Sequence, residues 1–99
     1  FNVYPGDVET VLCRHPSVAE GAVVGVPDDK WGEAVHAAIR LRPGASADAR
    51  DLADVVRHEL GPVKTPKGVH VFDALPRNPV GKVLKRAVRD AIVERMGRP

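Results

Sequence analysis

The residues best placed to do chemistry in this chain sit at the end of the run Leu75-Pro76-Arg77-Asn78-Pro79-Val80-Gly81-Lys82. A lysine is a compact point charge on a flexible stem, suited to meeting a phosphate or carboxylate oxygen. Pro76 and Pro79 fix their own φ and push the residue before each towards extended geometry, so Leu75 to Asn78 is expected as an exposed, non-helical strip. Gly81 then lets the chain turn sharply. Two further candidates are the basic loop Val63-Lys64-Thr65-Pro66-Lys67-Gly68 and the turn residues Trp31 and Gly32. Each has a plainer reading. Trp31 could complete a core poor in aromatic residues, Lys64 and Lys67 could be a solvated turn, and Lys82 could be a charge in the first turn of a helix. The last is electrostatically awkward, because the helix dipole disfavours a cation there.

Other chemistries find little support. The histidines His15, His36, His58 and His70 fall in different elements with no His or Cys at ligand spacing, and Cys13 alone cannot build a structural zinc site, so no metal site is expected. Cys13 itself is expected as a small buried hydrophobe within a helix. Nothing resembles a nucleophile elbow. Gly81-Lys82 resembles the end of a phosphate-binding P-loop, but Pro76 stands where a glycine is required and Val83 where Ser or Thr is required.

With 99 residues the chain is one domain, able to bury a little over ~60% of its unfolded surface but not to enclose a large cavity. Its 43% hydrophobic and 28% charged residues are those of a globular protein, and with only 4% aromatic the core must be Val, Leu, Ile and Ala. A net charge of +2 is a mild bias towards anions, without the dense basic stripe of a nucleic-acid domain, so no nucleic-acid partner is expected. A single cysteine permits no internal disulfide, and no apolar run approaches the roughly 20 residues of a membrane span, which makes the expected location cytoplasmic. Phe1 in first place suggests a domain cut from a longer polypeptide.

Those residues need a scaffold. From Pro5, the spacing of Val8, Val11 and Leu12 predicts a short helix ended by His15-Pro16. Ala19 to Val26 reads as a strand whose continuous apolar run implies burial on both faces, and Ala34 to Leu41 as its antiparallel neighbour across a turn at Asp28 to Gly32. Ser46 or Asp48 caps a helix carrying Leu52, Val55, Val56 and Leu60, stopped by Gly61-Pro62. Val69 to Phe72 is a short strand. A final helix follows Lys82, with Leu84, Ala87, Val88, Ala91 and Ile92 as its apolar stripe and Lys85, Arg86, Arg89 and Arg95 on its exposed face. The fold class is therefore α+β: helices packed on a small three-stranded sheet.

Taken together, Asn2-Val3-Tyr4-Pro5, Asp7-Val8-Glu9, His15-Pro16-Ser17-Val18, Gly25-Val26-Pro27-Asp28, Trp31-Gly32-Glu33, Lys64-Thr65-Pro66-Lys67 and Pro76 to Lys82 resemble the C-terminal domain of adenylate-forming enzymes. These are the acyl-CoA synthetases, the adenylation domains of nonribosomal peptide synthetases and the luciferases. The resemblance spans nearly all of residues 1–99. It implies a carboxylate attacking the α-phosphate of ATP, then displacement of AMP by a thiol, with the small C-terminal lid rotating between the two steps. Lys82 matches the adenylation lysine. Trp31 and Gly32 match positions lining the pantetheine passage, and Lys67, with Lys64 less closely, matches a loop that approaches the phosphates of CoA. Thr65 stands where some members carry Arg, and Asp7 replaces the more usual Glu.

The large N-terminal domain, which in that family binds ATP with Mg2+ and the acyl group, would be this chain's partner. By itself the chain is expected to be inert and to hold neither ATP nor CoA. The alternatives are an adenylation domain loading the phosphopantetheine of a carrier protein, and a free-standing basic module that binds polyanions through Lys64, Lys67, Lys82, Lys85, Arg86 and Arg89.

Overall fold

The computed structural model describes residues 4–30 and 32–97. Helix α1 (Pro5–Cys13) starts on a proline, whose preset φ suits the first helical position and whose missing N–H would have had no partner there. Strands β1 (Val18–Asp28) and β2 (Gly32–Leu41) form one antiparallel ladder, from Val18 opposite Leu41 to Asp28 opposite Gly32. Helix α2 (Ala49–Leu60) is capped by Asp48, whose Oδ1 accepts the Arg50 N–H at 2.7 Å. Strand β3 (Gly68–Val71) pairs parallel to β2, and helix α3 (Lys85–Met96) closes the chain, giving sheet order β1-β2-β3. A parallel neighbour needs a crossover connection, which α2 supplies.

Both faces of the sheet are covered, as the apolar run in β1 implies. Val8, Leu12, Leu52 and Val56 of α1 and α2 pack with Val23 and Ile39 on one face. On the other, Val88 and Ile92 of α3 pack with Leu75, Ala22, Val24 and Ala38. Ala22, Val23 and Val24 alternate between these cores because successive strand residues point to opposite faces.

Three expectations are corrected. Cys13 is exposed, with Gly21 rather than a core beside its sulfur. Partial desolvation, with the Glu9 and Glu20 carboxylates, pushes its thiol pKa up against a Gly21 backbone hydrogen bond, so it is a poor nucleophile. Leu75 is 3% exposed: the strip it opens is extended, but its first residue plugs the α3 core. The cations of α3 are also not a free solvent face. Lys85 bonds to Glu9 and, at 2.9 Å, to the Val23 carbonyl, Arg89 to the Gly25 carbonyl at 3.1 Å, and Arg95 to the Val71 carbonyl at 2.6 Å while lying 3.8 Å above the Phe72 ring.

Neighbouring strands also bring together two histidines with no sequence relation. His36 on β2 and His70 on β3 stack at 5.2 Å and share a hydrogen bond of 3.0 Å between Nδ1 and Nε2. Gly68 is required beneath them, since a Cβ there would lie 2.8 and 2.9 Å from the two bonded nitrogens. Burial lowers the pKa of both imidazoles. His36 is lowered further by His70 and Lys67 against an opposing Asp28, and His70 by Arg95.

Two outcomes follow. Glu9→Ala strands the Val23 N–H and leaves the Lys85 ammonium with the Val23 carbonyl but no carboxylate, and should destabilise the chain by roughly 1–3 kcal/mol in urea melts. Because both histidines are depressed, the unfolded chain binds more protons just below the ordinary value of 6.5. Stability is therefore full above that pH and falls as pH drops towards the folded values. Melting temperatures taken from about pH 7.5 down to about pH 5 should decline, and His70→Gln should flatten the decline. An unchanged slope in the variant would contradict this assignment.

Candidate functional site

Lys82 stands on a small hairpin rather than in a helix. α3 begins only at Lys85, so the charge feared in its first turn does not exist at position 82. The hairpin is closed by a bridge between Arg77 and Val83, with the Asn78 N–H donating to the Lys82 carbonyl at 2.9 Å and the Leu84 N–H to that of Pro76 at 2.9 Å. Inside it, Asn78 Oδ1 accepts the Val80 N–H at 3.1 Å and the Lys82 N–H at 2.9 Å, which is an Asx-type closure. Gly81 has φ +90°, so the residue before the lysine must be one without a Cβ penalty. The Lys82 side chain is exposed, and its ammonium has no hydrogen-bond or ion-pair partner among the described residues. Val80 beside it is 88% exposed.

The other candidates lie at a different place. Gly32, with φ +78°, pairs with Asp28 at the turn between β1 and β2. Lys67 reaches the same turn, with Nζ 3.3 Å from Asp28 Oδ2, while its N–H donates to the Val35 carbonyl at 2.7 Å. Gly32 and Lys67 are thus neighbours. Lys64 points to α1 and pairs with Asp7 at 3.5 Å, and Thr65 is spent on the Gly61 carbonyl at 2.9 Å. Trp31 lies outside the described residues.

The Lys82 hairpin is tied through Arg77 to Glu20, at the opposite end of β1 from Asp28. At the usual rise of ~3.3 Å per residue, Glu20 and Asp28 stand roughly 25 Å apart. The lysine hairpin is therefore tied to one end of β1 and the Gly32–Lys67 corner to the other.

Sequence reasoning missed Arg77, Asn78, Glu20 and Glu9. For Asn78 a signal existed, since Asn-Pro followed by Gly is a turn signature with the Asn side chain as its closure. For the two glutamates none did, because their partners are distant in sequence. Lys64, Lys67, Lys85 and Arg89 are all held by protein oxygens, so the basic residues do not form an open stripe. The groove along the outer edge of β1, about 460 Å³, is open and lined by Pro5, Gly25, Glu33, Lys85, Arg86 and Arg89. Among the described residues no three His, Cys, Asp or Glu side chains converge to hold a metal ion. No helix among them is long and apolar enough to cross a membrane.

Known proteins resemble this chain in sequence and fold. Residues 7–82 match the model of the AMP-binding enzyme C-terminal domain. The fatty acid–[acyl-carrier-protein] ligase ScoC of Streptomyces coeruleorubidus is 47% identical over 90% of this chain, and the medium/long-chain-fatty-acid–CoA ligase FadD8 of Mycobacterium tuberculosis is 44% identical over 99%. Apo MatB from Rhodopseudomonas palustris superposes with a TM-score of 0.90 at 37% identity over 98% of the chain. The amide bond synthetase McbA from Marinactinospora thermotolerans gives 0.88 at 43% over 94%. The chain spans under a fifth of each of these proteins, 17% of ScoC, 18% of FadD8 and 19% of MatB and McbA. A family match across most of the length, with identities of 37–47% and a superposable fold, leads to one conclusion: this chain belongs to the AMP-binding enzyme C-terminal domain family, the C-terminal domain of adenylate-forming enzymes.

Proposed function

We propose that this chain is the mobile C-terminal domain of an AMP-forming acyl-CoA synthetase and that Lys82 is its adenylation lysine. The observation that carries the reading is the placement of Lys82: an exposed ammonium without a partner among the described residues, on a hairpin whose backbone is closed by Asn78. In adenylation a carboxylate must approach the α-phosphate of ATP, and a positioned cation lowers the cost of joining two anions and stabilises charge developing at phosphorus. ATP, with its Mg2+, and the acyl group would be held by a large N-terminal domain. The described acidic residues and histidines of this chain do not fit a metal ion, and no step is assigned to one.

For the thioester half, Gly32 and Trp31 would line the pantetheine passage and Lys67 would meet CoA phosphates, with Lys64 contributing less because it turns towards Asp7. Lys67 is 58% exposed despite its pairing with Asp28, so it can still meet an anion. Attachment of the two regions near opposite ends of β1 suits a domain that presents them in turn rather than together. Relatives differ in acceptor, an acyl-carrier protein for ScoC and CoA for FadD8. Delivery to a carrier-protein phosphopantetheine is therefore the second reading. The polyanion-binding module is the weakest, since four of its six cations are already engaged.

In the full-length enzyme, Lys82→Ala should slow pyrophosphate exchange by about 10²- to 10³-fold, equivalent to roughly 2.7–4 kcal/mol. Thioester formation from pre-made acyl-adenylate should largely survive. Equal losses in both half-reactions would refute the assigned role. The isolated chain should catalyse no exchange, and any turnover by it would contradict a lid that depends on its partner domain.

A further inference from the structure

The peptide unit that joins Gly81 to Lys82 is held from both sides by side chains. Its N–H donates to Asn78 Oδ1 at 2.9 Å, and its carbonyl accepts Arg77 NH1 at 2.8 Å. The other amino group of the same guanidinium, NH2, binds the Glu20 carboxylate on β1. Glu20 is bound in turn by Arg40 on β2, through Nε at 3.1 Å and NH2 at 2.9 Å. The Glu20 side chain is only 19% exposed, and the chain of contacts runs from Arg40 through Glu20 and Arg77 to the lysine's own backbone.

This arrangement is more specific than a lone surface ion pair, which by itself fixes little. The planar guanidinium gives one amino group to the carbonyl and the other to the carboxylate in a fixed geometry, which a flexible ammonium does not impose. Gly81, at φ +90°, has little intrinsic preference for one orientation of the following peptide, so that orientation must be imposed from outside. Asn78 holds the peptide from within the hairpin, and Arg77 ties it to Glu20 on the sheet.

We propose that Arg77, braced by Glu20, is a positioning residue that aims Lys82. The catalytic part of this proposal rests on the reading of Lys82 given above. Arg77 does not touch substrate; it fixes the direction from which the Lys82 stem leaves the hairpin.

Two measurements on the full-length enzyme test it. In hydrogen–deuterium exchange, Arg77→Ala should raise exchange in the segment spanning residues 76–84 at least several-fold while leaving β2 unchanged. Unchanged exchange in that segment would overturn the proposal. In kinetics, Arg77→Ala should lower the kcat of adenylation about tenfold, within the range expected for a catalytic group displaced by a fraction of an ångström, with KM for ATP and the thioester half-reaction unaltered. Glu20→Gln should show a smaller loss in the same half-reaction, and Arg77→Lys should rescue only partly. In a Lys82→Ala background, Arg77→Ala should add less than twofold, because there is no ammonium left to aim. A full tenfold loss there, or equal losses in both half-reactions, would mean a general structural role and overturn the proposal. If Lys82→Ala itself left adenylation intact, the reading of Lys82 would fall, while raised exchange in Arg77→Ala would still support the brace.

Discussion

An edge strand leaves a row of backbone N–H and C=O groups without a partner strand, and β1 is such an edge. Here three of the unpaired groups are met by charged side chains from helices on both faces. Glu9 of α1 takes the Val23 N–H at 2.8 Å, Lys85 of α3 donates to the Val23 carbonyl, and Arg89 donates to the Gly25 carbonyl. Glu9 and Lys85 also pair with each other, so the edge bonds tie α1 to α3 around the rim of the sheet. Hydrophobic burial holds each helix to its face; these bonds decide where along the strand each one sits. They also block β1 from recruiting a further strand.

That arrangement sorts the basic residues. Cations near the start of α3 would face an unfavourable dipole if left free. Lys85 and Arg89 are instead turned back onto carbonyl oxygens, where a positive charge is welcome. Lys82, three residues ahead of the helix, makes none of these edge contacts and keeps an exposed ammonium. The same sorting operates on the other side of the sheet, where Lys67 is drawn to Asp28 and Lys64 to Asp7. Sheet length then converts a short sequence into two separate surfaces, with the lysine hairpin braced near Glu20 and the Gly32–Lys67 corner built on Asp28.

Prolines contribute less to the stiffness of the Lys82 strip than their number suggests. Pro76 and Pro79 keep it out of a helix, but its shape comes from Asn78 Oδ1, from the Arg77–Val83 bridge and from Leu75 set into the α3 core. A loop held in this way is also bonded to the sheet, through Arg77 and Glu20. For a domain read as carrying its lysine to a neighbour, that matters more than local rigidity, since on the proposal made for Arg77 the lysine takes its direction from β1 and β2 as well as from the loop.

The sequence by itself determined the elements and their order. Helical spacing of Val8, Val11 and Leu12 and of Leu52 and Val56 marked α1 and α2, the apolar run at Ala22 to Val24 marked a strand covered on both faces, and Gly61 and Gly81 marked the turns that required positive φ. These features are local, encoded in residues a few positions apart, so they can be read along the chain. Pro76 to Lys82, with the spaced motifs before it, was also enough to recognise the family. Tertiary structure alone decided the rest: that Leu75 is core and Cys13 surface, that His36 meets His70, that three of the cations assigned to the solvent face of α3 bind backbone carbonyls, and that Glu20 braces Arg77 from 57 residues away. Each of these depends on strand pairing and helix docking, which place groups together by register and face. Nothing in the local pattern of charge or hydropathy says which carboxylate a given arginine will meet.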